Sequence, residues 1–378
     1  MANEEENLAM QKQLIVIQEN ILFIIILSSN CFRIVFSDRV KASLKRMKGE
    51  SILIQSGKKI VRRILILLLS LSLLSCKSDF KYTDSRIAMG TSVSITIYDE
   101  KDKPLLADAF SLIYEIENKI SPRIETSYVH KINMNAGISP VAVPEDVFSL
   151  VSYSFQMREE TQGVFDPLVG ALSELWAIGS DSPRVPSKQE IEEALPLLDG
   201  DEVVLDEADK TVFLKKEGMR LDLGGIGKGY AADCVRDFLL SNGVEKAIIN
   251  LGGNIHVLGG KSESEDWKIG ISDPANPTSY ITLVDARDES VVTSGSYERF
   301  FIEDGKSYHH ILDTKTGYPT ESDLLSASVV AKESILADCL STVVFASGSD
   351  KAEEIAKRFG VELIIYTKDG SLIRYGEP

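Results

Sequence analysis

The sequence predicts a globular protein of mixed α-helices and β-strands that follows an N-terminal leader. The chain has 378 residues and a mean hydropathy close to zero, which suffices for one large domain or two small ones. Apolar residues recur with helical spacing in several segments, and they alternate with polar residues in others. After a glycine-rich stretch at residues 221–233, the two patterns follow one another as in an α/β arrangement.

The first 76 residues have the features of a secretory signal. Four basic residues between positions 58 and 63 precede a short apolar run, Ile64–Leu74, and the chain then reads Ser75-Cys76. The run is too short for a comfortable membrane span. A cysteine directly after a small residue resembles a bacterial lipobox. We therefore expect Cys76 to be acylated and to anchor a cell-envelope lipoprotein in the membrane. The alternative is an ordinary signal peptide with a chance cysteine.

The segment before this signal is unusual, because a signal peptide begins near its basic region. Met47 is well placed to start one. We predict that residues 1–46 are an over-extended gene start. The alternative is an additional membrane-associated segment built on the apolar stretch Leu14–Leu27.

Charge and cysteine content narrow the possible functions. The whole chain carries 41 basic and 57 acidic residues, for a net charge of −16. Such an acidic protein is not expected to bind nucleic acid, because that requires Lys and Arg to neutralise phosphates. Beyond the leader only Cys234 and Cys339 remain, both in apolar helical contexts. Two buried thiols are therefore expected rather than a disulfide.

The elements can be predicted in chain order after a polar tether at 77–86. Helical spacing predicts helices at Leu105–Ile120, Pro144–Thr161, Lys188–Leu198, Ser334–Ser347 and Ala352–Phe359. A further helix is predicted after the glycine-rich stretch, and Asn242-Gly243 is expected to end it. Strands are predicted at Ser92–Tyr98, Val203–Leu205, Thr211–Leu214, Ala247–Asn250, Trp267–Ile271, Ser279–Val284, either side of a turn within Val291–Ile302, Leu325–Ala331, Glu362–Thr367 and Leu372–Tyr375. Ser121–Asn135 is expected to be turn-like, and residues 165–176 are expected to form a loop or short helix.

The glycine-rich stretch suggests an anion site. It runs Leu221-Asp-Leu-Gly-Gly-Ile-Gly-Lys-Gly-Tyr-Ala-Ala-Asp233 and leads into a predicted helix. Glycines there permit close approach of a ligand, and the helix N-terminus and Lys228 favour an anionic oxygen. The alternative is a tight structural turn with a solvated lysine. A P-loop is excluded because Gly229 follows Lys228. A loose dinucleotide fingerprint at residues 227–232 keeps an oxidoreductase open as a further alternative.

Asp338 and Thr342 are four residues apart on one predicted helix and so share a face, with Ser341 adjacent. A carboxylate beside hydroxyls suits Mg²⁺, which prefers oxygen ligands and substrate phosphates. The alternative is an ordinary polar helix face.

The chain has four histidines, and two of them form the pair His309-His310. A histidine near a phosphate can orient it or take a proton from a nucleophile. The alternative is a structural histidine near a strand end.

Several motifs, taken together in order and spacing, resemble the ApbE family, the FAD:protein FMN transferases. They are Met89-Gly-Thr91, Phe165-Asp-Pro, Glu174-Leu-Trp176, residues 222–230, Asn250-Leu-Gly-Gly253, Thr293-Ser-Gly295 with Tyr297-Glu-Arg299, His309-His-Ile-Leu-Asp313 with Thr316-Gly-Tyr-Pro319, and Ala337-Asp338 with Thr342. The resemblance spans nearly the whole region after the leader.

The resemblance implies an α+β fold, with a single catalytic domain at 77–378 of mixed sheets flanked by helices. It implies that FAD and Mg²⁺ are bound, and that FMN passes to a Thr or Ser of an acceptor protein while AMP leaves. The residues that the resemblance assigns to FAD are Met89, Arg123, Val164, Phe165, Asp166, Asp222, Lys228 and Ile311. Those that it assigns to Mg²⁺ are Gly225, through its carbonyl, Asp338, Ser341 and Thr342. His310 is the candidate for activating the acceptor hydroxyl or orienting the phosphate.

The sequence departs from the family pattern at two positions. Arg123 stands where many members have an aromatic residue beside the flavin, and Thr314 replaces a frequent proline. The first departure leaves open the balance between transfer of FMN and hydrolysis of FAD to FMN and AMP. A flavin-binding lipoprotein without turnover is the alternative from another functional class, and the intact metal set favours the enzyme.

Overall fold

The structure, a computed structural model, describes residues 80–376. The predicted leader, the start at Met47 and the anchor at Cys76 lie outside the described residues. Within the described part, no helix is long and apolar enough to span a membrane. The helices are α1 (Leu105–Ile120), α2 (Tyr128–Met134), α3 (Glu145–Glu160), α4 (Gly170–Trp176), α5 (Lys188–Ala194), α6 (Gly227–Ser241), α7 (Ser334–Ser347) and α8 (Ser349–Phe359).

The strands are β1 (Tyr82–Ala88), β2 (Thr91–Ile97), β3 (Val141–Ala142), β4 (Val203–Asp206), β5 (Thr211–Leu214), β6 (Ala247–Leu251), β7 (Asn254–Leu258), β8 (Trp267–Asp273), β9 (Asn276–Ala286), β10 (Glu289–Gly295), β11 (Phe300–Glu303), β12 (Lys306–His309), β13 (Leu324–Ala331), β14 (Glu362–Thr367) and β15 (Leu372–Tyr375). Eight of them form one sheet in the order β1-β2-β6-β7-β10-β13-β14-β15.

The strand pairs of the described sheets are antiparallel throughout. The α/β pattern expected after the glycine stretch is therefore wrong, because the strands do not pair in parallel. Short turns and hairpins join most neighbouring strands, and few helices connect one strand to the next. The α+β class that the resemblance implies is confirmed, with helices packed on antiparallel sheets.

The central sheet is covered on both faces. Val292 and Val329 point into the main core beneath the helices, whereas their neighbours Val291 and Val330 point into a second core beneath the β8–β9 hairpin. This alternation follows from the two-residue period of a strand. Both faces are thus buried, so apolar residues occur on both sides of the central strands.

Several elements differ from the prediction. The segment expected to be a polar tether contains β1, an edge strand whose exposed polar residues obscure the alternating pattern. The segment expected to be turn-like contains α2, whose N-cap is Ser127. The helix predicted over Lys188–Leu198 ends at Ala194, because Pro196 lacks the N–H that continues an α-helix. Strands β7 and β12 were not predicted, since each is a short run beside a glycine turn.

Helices α6 and α7 pack closely against each other and place the site. A Cβ at Gly229 would lie 2.4 Å from the carbonyl oxygen of Ser334 and 2.6 Å from the Cα of Ile335. No side chain fits at that distance, so glycine is required for the backbones to approach. The glycine stretch therefore serves helix packing in addition to any ligand.

Candidate active site

The turn before α6 is ordered by its own side chains and by neighbouring apolar groups. Asp222 Oδ1 accepts a hydrogen bond of 2.8 Å from the Gly224 backbone N–H. A Cβ at Gly225 would lie 3.1 Å from the ring of Phe165, and one at Gly227 would lie 3.5 Å from Cε of Met89. Three predicted FAD residues, Met89, Phe165 and Asp222, therefore border the glycine turn.

Lys228 and Asp338, distant in sequence, meet at the N-terminus of α6. Lys228 Nζ lies 3.1 Å from Asp338 Oδ1, and the Gly229 backbone N–H donates to Asp338 Oδ2 at 2.9 Å. The Asp338 side chain is 3 % exposed and that of Lys228 is 24 % exposed. A buried carboxylate with an ammonium partner and a helix N-terminus is stabilised in its charged form. The tertiary structure thus joins the predicted phosphate loop to the predicted metal helix.

Three hydroxyls cluster one turn further along α7. Ser294 Oγ, on β10, lies 2.8 Å from Ser341 Oγ and 3.3 Å from Thr342 Oγ1. Ser341 Oγ also donates to the carbonyl oxygen of Asp338 at 2.9 Å. The predicted set of Asp338, Ser341 and Thr342 is therefore brought together, and Ser294 joins it. The sequence analysis gave Ser294 no role, although its Thr-Ser-Gly turn was noted.

The donor chemistry of this cluster fits a hard cation. The donors are a carboxylate and hydroxyls, the oxygen ligands that Mg²⁺ prefers. The ammonium of Lys228 already lies beside Asp338, so the position favours positive charge. Within the part of the chain that the structure describes, no group of three or more His, Cys, Asp or Glu side chains is arranged to hold a metal. A metal bound by these side chains would therefore have one carboxylate and several neutral oxygens as ligands.

The two adjacent histidines have different environments, because successive side chains at a strand end point to opposite faces. His309 Nε2 donates to the Thr320 carbonyl at 3.1 Å, and its ring packs edge-on against Phe345. His310 is half-buried, and its backbone N–H and Nδ1 lie 3.1 Å and 3.3 Å from the carbonyl oxygen of Arg299. Because a carbonyl only accepts, Nδ1 carries the proton and the lone pair is on Nε2.

Burial and neighbouring cations keep His310 neutral. Desolvation, together with smaller contributions from the charges of Arg299 and Lys228, lowers the pKa of His310 to about 4. The imidazole is therefore unprotonated at neutral pH and can accept a proton at Nε2.

Arg299 is a residue to which the sequence analysis gave no role. Its carbonyl holds His310, and its guanidinium lies 3.5 Å from the carbonyl oxygen of Gly90, directly after Met89. The motif Tyr297-Glu-Arg299 was noted in the sequence, but nothing there indicates that it reaches the β1–β2 turn. Arg299 places a further positive charge at the site.

The other predicted FAD residues have different surroundings. Asp166 is buried, accepts from Arg158 Nε at 2.9 Å and caps the short helix that begins at Pro167. Burial raises the pKa of Asp166, and these partners oppose that shift. Val164 is half-buried, Ile311 is buried and Arg123 is exposed after α1. Among the described residues, no hydrogen bond or ion pair links the Arg123 side chain to the cluster. The roles of all four stay predictions.

Comparison with known proteins gives a consistent result. A model described as the ApbE family matches residues 89–365. The chain is 38% identical over 294 residues to an FAD:protein FMN transferase of Klebsiella pneumoniae (strain 342), covering 77% of this chain and 91% of that protein. It is 35% identical over 308 residues to an FAD:protein FMN transferase of Treponema pallidum (strain Nichols), covering 76% and 85%.

A solved structure supports the same relationship. The crystal structure of the ApbE protein from Thermotoga maritima is similar with a TM-score of 0.74 and 36% identity, covering 78% of this chain and 97% of that one. The flavin transferase ApbE from Vibrio cholerae, at 24% identity and a TM-score of 0.70, shares the fold.

Proposed function

This chain belongs to the ApbE family, and we infer from its relatives and its site that it is an FAD:protein FMN transferase. The substrates are FAD and an acceptor protein that presents a Thr or Ser hydroxyl. The hydroxyl oxygen bonds to the FMN phosphorus, the bond from that phosphorus to the AMP oxygen breaks, and AMP leaves. The product is a phosphoester between FMN and the acceptor.

The observation that carries this function is the meeting of Lys228 and Asp338 at the N-terminus of α6. Phosphoryl transfer depends mainly on positioning the reacting groups and neutralising oxygen charge. Lys228 and the N-terminus of α6 supply positive charge for a pyrophosphate in an otherwise acidic protein. Met89 and Phe165 beside the turn offer apolar surface for the rest of the dinucleotide.

Asp338, Ser341, Thr342 and the carbonyl of Gly225 are the residues that would hold Mg²⁺, and the hydroxyl of Ser294 beside Ser341 and Thr342 adds it to this set. When bound, the ion would neutralise charge on the pyrophosphate oxygens. Asp338 is already buried and oriented by Gly229 and Lys228, and an ion bound there would share its oxygens with these two donors.

His310 is the group that takes the proton of the acceptor hydroxyl. Its Nδ1–H is held by Arg299, which leaves the Nε2 lone pair for the proton, and its lowered pKa keeps it neutral at pH 7. Arg299 orients this imidazole through its carbonyl and adds positive charge through its guanidinium. The protein carrying out this reaction is proposed to be a cell-envelope lipoprotein held in the membrane by acylated Cys76.

The test combines FAD, Mg²⁺ and an acceptor domain that contains a modifiable Thr with the chain from residue 77 onwards, freed of its anchor. AMP release is followed by chromatography, and labelling is followed by flavin fluorescence of the acceptor after denaturing electrophoresis. Transfer predicts AMP and a fluorescent acceptor in equal amounts. If AMP and free FMN form equally fast without acceptor and no acceptor is labelled, the protein is an FAD pyrophosphatase. If neither forms, it binds flavin without turnover.

His310→Asn isolates the proton-transfer step. We expect labelling to fall by about a hundredfold to ten-thousandfold, as for loss of a general base, while FAD binding persists. Lys306→Gln, an exposed change on the β11–β12 hairpin next to His310, is the matched control and should label the acceptor at the parent rate. A His310→Asn variant that labels equally fast would contradict the role given to this imidazole.

A further inference from the structure

Helix α7, which carries Asp338, begins without a cap of its own. Its N-cap residue, Glu333, makes no side-chain hydrogen bond to the first turn. The free N–H groups are instead satisfied from α6: Asp233 Oδ1 accepts from the Ser334 N–H at 2.9 Å, and Asp233 Oδ2 accepts from the Ile335 N–H at 2.9 Å. One carboxylate therefore holds two consecutive N–H groups at the start of α7, a role that capping side chains normally fill from within the same helix.

The relationship between the two helices is reciprocal. Helix α6 also has no capping side chain at its N-cap residue, Ile226. Its Gly229 N–H donates to Asp338 Oδ2 of α7 at 2.9 Å. Each helix thus supplies an aspartate that binds the N-terminal backbone of the other. Asp338 has a predicted chemical role, whereas Asp233 contacts only protein groups.

The Asp233 carboxylate makes these contacts in the protein interior. Asp233 is 8 % exposed, and its Oδ1 also accepts from Arg236 NH1 at 2.6 Å. Burial raises the pKa of Asp233, and the two backbone donors and Arg236 oppose that shift. Ser334 makes a further hydrogen bond, in which its Oγ donates to Asn254 Oδ1 of β7 at 2.6 Å. The first turn of α7 is therefore fixed to both α6 and the sheet.

The fixed turn controls where Asp338 lies. Ser334 and Asp338 are four residues apart and so lie on one face of α7, one turn from each other. A shift of the first turn along or around the helix axis would be carried directly to the Asp338 carboxylate. Metal ligands and phosphate-binding groups must be held within about 0.5 Å of the productive geometry.

We propose that Asp233 is a positioning residue for the reaction, acting through the first turn of α7 to hold Asp338 in place for Mg²⁺. This proposal rests on the proposed function, which puts the ion at Asp338. Asp233 acts in this proposal through the backbone of α7 and not as a ligand of the ion. Groups that orient a metal ligand typically change metal affinity or activity by about 10- to 100-fold when they are removed.

The experiment compares Asp233→Asn and Asp233→Ala with the matched control Asp237→Asn. Asp237 lies on the same helix and shares the partner Arg236, at 2.8 Å, but its side chain is 66 % exposed and it contacts α7 through no hydrogen bond among the described residues. Mn²⁺ affinity is read by loss of the free-ion EPR signal, with and without FAD. The Mg²⁺ concentration for half-maximal AMP release, FAD binding by flavin fluorescence, and far-UV circular dichroism are measured alongside.

We expect both Asp233 variants to bind Mn²⁺ and to use Mg²⁺ about 10- to 100-fold more weakly, Asp233→Ala more so than Asp233→Asn, which keeps one acceptor oxygen. FAD binding without metal should stay at the parent level, and raised Mg²⁺ should restore much of the AMP release. Asp237→Asn should match the parent in every measurement.

The proposal is overturned if Asp233→Asn binds Mn²⁺ like the parent, or if Asp237→Asn weakens binding equally. It is also overturned if both Asp233 variants fail to fold, because Asp233 is then a folding residue only. If the parent binds Mn²⁺ at Asp338 but produces neither AMP nor labelled acceptor, the proposed function fails, while the Mn²⁺ comparison still decides the positioning role.

Discussion

Replacing Lys228 with glutamine probes the contact on which the site is built. Asp338 is 3 % exposed and has two charge-stabilising contacts, Lys228 Nζ at 3.1 Å and the Gly229 N–H at 2.9 Å. Removing one partner of a buried ion pair typically destabilises a protein by about 3–5 kcal/mol, because the other charge is left unpaired. Lys228 reaches solvent and Gly229 remains, so we expect the lower end, about 3 kcal/mol. For a domain of this size that is a decrease in melting temperature of about 6 °C.

The assay is urea unfolding of the parent, Lys228→Gln, Asp338→Asn and the double variant, in EDTA and in Mg²⁺. In the double variant no unpaired carboxylate remains, so its loss of stability should be smaller than the sum of the single losses by about 2 kcal/mol, within the range for residues in contact. Mg²⁺ should stabilise Lys228→Gln more than the parent, because an ion at Asp338 replaces the missing ammonium. Additive single losses, together with equal stabilisation by Mg²⁺, would refute this account of the pair.

Lys119→Gln is the matched control for that experiment. Its side chain is 27 % exposed, close to the value for Lys228, and it pairs at 2.7 Å with both Glu115 and Asp146. Those two partners are 61 % and 38 % exposed, so water screens the charge left behind. Exposed pairs of this kind contribute about 0–1 kcal/mol, and a loss above that would show that lysine removal alone explains the Lys228 result.

Three further outcomes are expected. Asp338→Ala should abolish AMP release from FAD with the fold intact by circular dichroism, and full activity in this variant or in excess EDTA would contradict metal assistance. His256 is buried, and its Nδ1 lies 2.8 Å from Ser290 Oγ. Burial lowers the pKa of His256 from 6.5 to about 3. The neutral imidazole therefore contributes stability above pH 6.5, and this stability is lost as the pH falls towards 3. Between pH 6.5 and pH 5 this amounts to about 2 kcal/mol, measurable by urea unfolding at both pH values, and an equal pH dependence in His256→Gln would exclude His256 as the cause. Cys76→Ser should move the protein out of the membrane fraction or leave its signal uncleaved, and unchanged fractionation and gel mobility would argue against acylation.

Much of the local structure is determined by the sequence. Helix α1 begins and ends at the predicted residues, because its buried positions recur at the helical period and Pro104 and Ser121 flank it. Helix α6 ends where Asn242-Gly243 was expected to stop it, since Gly243 adopts a positive φ of 77°. The motif order indicated the family, and the chemical roles predicted for Lys228, Asp338 and His310 stay predictions.

Tertiary structure alone decided which of these residues meet. Lys228 and Asp338 are 110 residues apart in the chain, and no local pattern specifies that α6 and α7 pack closely enough for them to touch. The close packing of the two helices requires a residue without a side chain at Gly229. It is also accompanied by the hydrogen bonds that Asp233 of α6 accepts from the first N–H groups of α7. The same holds for the two histidines. Their identical side chains have different surroundings, because strand geometry places His309 against Phe345 and His310 beside the carbonyl of Arg299. Periodicity and residue type act over a few neighbours, whereas the site is formed by contacts between elements, which only the packed chain defines.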